Sequence, residues 1–466
     1  MPACKGVRIL RFRAETGADD GANAIHARIL TRVGRNLGWL AGSTGFSAVA
    51  SLIYVALTAR TLGPRSFGSF ALVMTYGELI ITLVQVQTWK LVSNFGILHQ
   101  QAGNKARLRR LFGFSASIDF LSGMAGSLLG FVGVLFVGPR LHWSVSEEHG
   151  AALFAAAMIM TSGTTPAGLL RLFDRFDLQA YLEAVCQLAR FIGCLAGWAV
   201  GAGIVWFLCV WPLAALLEMI LQWAAILALG NRLSIGYRVF KLATRENRGL
   251  WSFVVKTSIN SSLSQLCTQL GILVVGMRAG PVEAGGFRLA YRFSQAMMKP
   301  VEIGAKALFL ELARLVARND EMTTRKLLVS VTWMSTAFGS LIVLATILGG
   351  RGLLRLVAGP QFEFASTFLI LLCGAAAINV TGFAFEPFLN ANFRQGTVLR
   401  TYVGAALLYG AILAVLLPVI GAKAAAIASI GAALVSIIKL GSSVFQILGR
   451  RGRKTAGLKA RASTPG

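Results

Sequence analysis

The feature that most constrains this chain is a succession of twelve apolar stretches, each near the twenty-odd residues a bilayer core requires. They fall at 36–59, 67–88, 112–137, 150–170, 181–202, 204–229, 252–277, 285–312, 327–348, 363–390, 398–420 and 422–448. Across the whole chain 55% of residues are hydrophobic and 14% charged, against about 25% charged in a typical soluble domain. The expected fold class is an all-α polytopic membrane protein with about twelve transmembrane helices.

The eighth stretch breaks the apolar pattern. Between Gly285 and Leu312 it carries Arg288, Arg292, Lys299 and Lys306, spaced by 4, 7 and 7 residues. At about 100° per residue these cations fall near 0°, 40°, 20° and 0°, a single stripe. A central charge facing lipid costs about 2.5–3.5 kcal/mol even on lenient insertion scales. The stripe therefore calls for water, a counter-ion or an anionic substrate, and the other helices are expected to wall a central cavity into which it points. A second arrangement competes: Lys299, Glu302 and Lys306 stand at i, i+3 and i+7 and could neutralise one another along one helix, while Arg288 and Lys306 near the ends could snorkel.

The formal net charge is +26, yet a nucleic-acid partner is excluded because no soluble face exists to carry a basic patch. The Lys and Arg residues instead cluster in alternate connections, with an inner-to-outer ratio of about fourfold. That bias places both termini on the cytoplasmic side. Residues 1–35 lack the apolar core of a cleaved signal peptide and are expected as a poorly ordered cytoplasmic tail, as is the basic segment 449–466. The six cysteines show no paired spacing and read as packing residues. His142 and His149, flanking Glu147 and Glu148, read as loop residues rather than metal ligands. Gly193, Gly197 and Gly201 have the spacing of close helix packing. No metal or cofactor is expected.

Three features recur at nearly constant offset. Gly63-Pro64 returns as Gly280-Pro281, 217 residues on; Gly138-Pro139 returns as Gly359-Pro360, 221 on; Leu170 with Arg175 returns as Leu389 with Arg394, 219 on. One Gly-Pro pair is only a turn signal; three in order argue for duplication of a six-span unit. An even number of spans makes the repeats parallel. The expected lobes are 36–229 and 251–448, joined by a basic cytoplasmic linker at 230–250.

These residues also carry a resemblance. The run from Ala59 through Gly63-Pro64 to Phe67-Gly68 resembles the opening of bacterial polysaccharide-unit flippases of the Wzx type, which handle O-antigen units. Leu356-Val357-Ala358-Gly359-Pro360-Gln361-Phe362 and Pro387 through Arg394 are similar to that family's second half. The family belongs to the multidrug/oligosaccharidyl-lipid/polysaccharide exporter superfamily, and the resemblance covers roughly 36–448. It implies two six-helix lobes in a V, alternating access, and an undecaprenyl-pyrophosphate-linked oligosaccharide turned from the cytoplasmic to the periplasmic leaflet of the inner membrane. Membrane lipids are the other implied partners, and a polysaccharide polymerase is a further candidate.

The cationic stripe suits such a cargo, because guanidinium can grip phosphate with a bidentate fork. Arg292 and Lys299 are the foremost candidates for substrate contact, with Arg288 and Lys306 behind them. Span seven is rich in hydroxyls and amides; Asn260, Ser264, Gln265 and Gln269 are expected to line the cavity for sugars. Glu386, Asp119 and Glu78 are candidate ion-coupling carboxylates, with a salt bridge to the stripe the competing role for Glu386. No GxxxxGK[ST] loop is present, so hydrolysis of ATP by this chain is not expected. A multidrug or organic-ion exporter of the same fold is the alternative, although a cation-binding cavity should be acidic. A membrane polymerase or ligase fits less well, since the longest outer connections run to only about a dozen residues. The chain is therefore not expected to be an enzyme.

Overall fold

A reversal at Gly63 decides how the first half folds. The computed structural model describes residues 19–141, 143–160, 163–230, 236–247, 249–317, 321–392 and 394–462. Side chains are described from residue 45 to 448, apart from short stretches that include 256, 260–261, 263–264, 267 and 300–321. Helix α1 (Asp19–Val84) is 66 residues long and would reach about 99 Å if straight. It instead bends at Gly63, whose φ of 70° and ψ of 173° fall in a region that favours glycine. Pro64 then opens the second leg with its φ already set for a helix.

The same device recurs where the duplication predicts it. Six helices complete the first half: α2 (Thr88–Gln101), α3 (Lys105–Val137), α4 (Val145–Met160), α5 (Thr165–Leu172), α6 (Phe176–Ala199) and α7 (Ile204–Ala228). The linker holds α8 (Tyr237–Glu246). Then α9 (Leu250–Ala279) ends at Gly280, with φ 87° and ψ 173°, and Pro281 opens α10 (Pro281–Ala317). The chain continues through α11 (Glu321–Ala358), α12 (Ser366–Thr381), α13 (Phe385–Ala391), α14 (Gln395–Ile420) and α15 (Lys423–Ala462). A short 3₁₀ turn follows each of the next Gly-Pro pairs, at Pro139–Leu141 and Pro360–Ala365. The third pair of sites closes with one hydrogen bond in both halves: Arg175 N donates to Leu170 O, and Arg394 N to Leu389 O, each at 2.9 Å.

Among the described residues there is no strand, and eight stretches are long and apolar enough to cross a bilayer. One of these, Gly45–Gln101, has 57 residues and spans about 86 Å along its axis, far beyond one crossing; it contains the bend. The stretch 285–312 is not among the eight, because Arg288, Arg292, Lys299 and Glu302 crowd its centre. The expected count of twelve is therefore not matched by length and apolarity, which give eight among the described residues.

Hydropathy misplaced several boundaries. The helix after span two resumes at Thr88 and runs to Gln101, inside what reads as a basic loop. Spans four and ten are each broken near their middle, between α4 and α5 and between α12 and α13. α1 starts at Asp19 and α15 runs to Ala462, into segments expected as tails. The reason is common to all: helices end where the backbone is capped or broken, and Ala, Arg and Lys continue one readily outside hydrocarbon.

The core shows how the halves meet. One large apolar cluster includes Phe67 and Phe70 of α1, Phe207 of α7, Phe287 of α10, Phe362 and Phe368. It spans both halves at the end bearing Gly63 and Gly280, termed the turn end. At the opposite, linker end the apolar clusters are separate. One joins Leu91, Phe112, Leu169 and Val254; the other joins Leu328, Phe388, Val398 and Leu440. Among the described residues the largest shared cluster thus lies at the turn end, while the linker end holds two separate clusters, the first of which takes in Val254 of α9. Outward-facing residues such as Leu348 and Val419 are almost fully exposed, as side chains that face acyl tails are.

Candidate functional site

Equivalent residues of the two halves meet backbone to backbone. Gly68 and Gly285 stand 217 positions apart, and a Cβ on Gly285 would lie 2.8 Å from the Gly68 Cα. A Cβ on Gly68 would collide with the Pro281 carbonyl. Only glycine lets the second leg of α1 and the start of α10 cross this tightly. The Phe67 and Phe362 rings pack edge to face beside the crossing, 5.5 Å apart. Arg60 adds a polar tie: its Nε donates to Val357 O at 2.8 Å, and its Nη2 donates to Leu356 O. Those carbonyls belong to the last turn of α11, where a cation is favoured.

From this crossing both helices descend with polar groups facing each other. Glu78 is ten residues beyond Gly68, about 15 Å along the axis, or half the thickness of a bilayer core. Its Oε1 accepts from Arg288 Nη2 and from Arg292 Nη2, both at 2.7 Å. Its Oε2 accepts from Gln269 Nε2 of α9 at 3.0 Å and from Arg288 Nη1 at 3.3 Å. Thr75, one turn before Glu78, accepts from Arg288 Nη1 at 2.5 Å. Two guanidinium groups thus share one carboxylate, and the cluster carries a net positive charge. Arg288 is sealed, its side chain 7% exposed, whereas Arg292 keeps 42%. Arg288, Arg292, Ser51, Tyr54 and Trp211 line a cavity of about 30 Å³, the share of one liquid water.

The expected site residues are therefore regrouped. Glu78, Gln269, Arg288 and Arg292, drawn from separate expectations, form one cluster. Lys299, further along α10, is half-buried, and Gln265 is exposed. The side chains of Lys306, Asn260 and Ser264 lie outside the described residues. Glu386 sits apart on α13, where its Oε2 accepts from Tyr402 Oη at 2.6 Å. Asp119 of α3 is also apart. Its Oδ1 accepts from Thr88 Oγ1 and its Oδ2 from Thr165 N, each at 2.8 Å, so it bridges the first turns of α2 and α5. Glu147 accepts from Ser144 N at 2.8 Å while its own N–H donates to Ser144 Oγ at 3.4 Å, a reciprocal cap on α4. Among the described residues no group of three metal-ligating side chains converges.

Sequence reasoning missed Thr75 and Tyr402. Thr75 could have been found, because i−3 from Glu78 shares its helix face. Tyr402 stands on α14 and Glu386 on α13, and no spacing rule predicts their contact.

Two helical halves joined at tight Gly-Pro crossings, with a polar cluster between them, define the fold of a membrane transporter. The chain is similar to the inward-facing conformation of a multidrug resistance MATE family transporter of the MOP superfamily, with TM-score 0.65, 12% identity, and coverage of 89% of this chain and 95% of that one. It is equally similar to the lipid II flippase MurJ in its inward closed conformation, with TM-score 0.65, 13% identity and 86% of each chain covered. At these identities the likeness is one of fold. Residues 33–309 match the family described as polysaccharide biosynthesis protein; the chain belongs to that family. It is also 29% identical to the inner membrane protein YghQ of Escherichia coli (strain K12) over 334 residues, 70% of this chain and 93% of that protein.

Proposed function

We propose that this protein turns a polyprenyl-pyrophosphate-linked oligosaccharide across the bacterial inner membrane for surface polysaccharide synthesis, with both termini in the cytoplasm. The observation that carries this reading is the pair Arg288 and Arg292 sharing the single carboxylate of Glu78 between the two halves. A pyrophosphate brings the negative charge this cluster lacks. Arg292 is the contact residue, since its guanidinium is partly open and already oriented by Glu78. Lys299 continues the cationic face of α10 beyond Arg292, and the proposed path of head-group and sugar runs along it and Gln265 of α9.

The counter-ion gives alternating access a physical basis. Glu78 belongs to the first half and the arginines to the second, so their ion pairs help hold the turn end shut. A phosphate that takes the arginines competes with Glu78 and loosens that closure as it binds. A cationic cargo fits less well here, because the cluster is itself cationic. The family's polysaccharide role and the fold shared with a lipid II flippase support the same cargo class.

The test is reconstitution into liposomes with a fluorescent polyprenyl-pyrophosphate oligosaccharide, scoring leaflet transfer with and without a proton gradient. Transfer by the wild type and its loss in Arg292→Ala is the expected result. Transfer that is indifferent to Arg292, or that requires a cationic cargo instead, overturns the reading.

A further inference from the structure

The linker helix α8 presents a face that the transport cycle does not use. Arg238, Lys241, Leu242 and Arg245 are all exposed, and at about 100° per residue they fall within one 100° arc. The opposite face is closed by packing. Ala243 is fully buried, Phe240 lies 4.6 Å from the Phe114 ring of α3, and 6.0 Å from Trp251 at the start of α9. The end of α8 is bolted down as well. Glu246 accepts from Arg110 Nη2 at 2.5 Å and Nε at 3.1 Å, and Asn247 pairs with His99 at 2.8 Å. The helix is thus held rigidly against α2, α3 and α9, with three cations outward and no ion pair to any of the three among the described residues.

The surroundings say what this face meets. Beside the cations stand two exposed apolar side chains, Leu242 at 43% and Trp251 at 48%. Water alone favours neither, and a free anion would leave both uncovered. A phospholipid boundary satisfies all of them: acyl chains take Leu242, the interfacial layer takes the indole, and anionic headgroups take the guanidinium and ammonium groups. α3 supports the same depth, because Arg109 in its second turn is exposed while apolar burial begins at Leu111. We infer that α8 is an interfacial anchor that binds anionic phospholipid headgroups through Arg238, Lys241 and Arg245, fixing the linker end of α2, α3 and α9 to the leaflet.

The full-length protein in nanodiscs tests this. Amide hydrogen exchange across 237–246 is compared in discs of phosphatidylcholine alone and of phosphatidylcholine with one quarter phosphatidylglycerol. Wild-type exchange should slow by on the order of ten-fold in the anionic discs. The difference should vanish in the triple variant R238Q/K241Q/R245Q and persist in R238K/K241R/R245K. Equal exchange of the wild type in both discs overturns the anchor, as does a lipid effect that survives the glutamine variant. Protection produced by inorganic phosphate in phosphatidylcholine discs would assign the cations to a soluble anion instead.

Discussion

Glu78 Oε1 and Arg288 Nη2 lie 2.7 Å apart, and the contact links helices that occupy matching places in the two halves of a duplicated chain. Arg288 has lost nearly all contact with solvent, so its charge depends on that carboxylate. Removing one partner of a buried pair strands the other, at about 3–5 kcal/mol when burial is complete. Glu78 keeps 23% side-chain exposure, so Glu78→Gln should cost less, about 2–3 kcal/mol. Thermal unfolding in detergent would show the loss, and Glu78→Gln combined with Arg288→Met should recover much of it. An unchanged melting curve in the single variant would show that this pair does not hold the halves together.

Arg292 should separate function from stability. It shares Glu78 with Arg288, yet its side chain is 42% exposed, and Arg288 would still neutralise the carboxylate in its absence. A charge-assisted hydrogen bond to phosphate is worth about 1.5–3 kcal/mol, a rate effect of roughly ten- to one-hundred-fold. Arg292→Ala is therefore expected to cut leaflet transfer by that factor while leaving the melting temperature within about 2 °C. Arg292→Lys should recover only part, because an ammonium cannot fork across two phosphate oxygens.

The crossing of Gly68 and Gly285 gives a conformational prediction. Each added methyl would meet backbone rather than a side chain that can swing aside, and overpacking of this kind costs about 1–3 kcal/mol. Since only the state closed at the turn end carries the contact, Gly68→Ala or Gly285→Ala should shift the population toward the state open there. Spin labels placed across the turn end should report longer distances in the variants than in the wild type. Identical distance distributions would show that the crossing tolerates a side chain.

How much of this was legible in the chain depends on the length scale of each signal. The turns were plain, because Gly63 and Gly280 need a backbone that other residues avoid, and proline follows both. Arg288 and Arg292 were plain because charge in an apolar run is expensive. Their partner was not, since Glu78 lies 210 residues from Arg288 and nothing local in span two names a guanidinium across the bundle. The break at 85–87 and the one between α4 and α5 were hidden for a different reason: the residues there carry no charge, and their apolar flanks carry the hydropathy across them. α8 escaped notice because ten residues with three cations look like a loop until their angular order is examined.

Asp119 decides between a coupling carboxylate and a structural one. The breaks it bridges leave the first N–H groups of α2 and α5 without helical partners, and its two oxygens reach Thr88 Oγ1 and Thr165 N. In the second half the Thr336 hydroxyl lies 3.4 Å from that of Thr381, beside the break before α13, and no carboxylate bridge to that break is seen among the described residues. That asymmetry permits either role, and substitution separates them. Asparagine retains an oxygen for the Thr165 N–H and can donate its amide to Thr88, whereas alanine retains neither. If Asp119 is a cap, Asp119→Asn should transfer lipid within about threefold of the wild type, with its proton-gradient dependence unchanged, and Asp119→Ala should lose about 1–2 kcal/mol of stability. If it couples transport to protons, Asp119→Asn should abolish the gradient dependence while leaving stability intact. The geometry favours the cap, because each carboxylate oxygen already accepts a hydrogen bond from the start of a helix flanking a break.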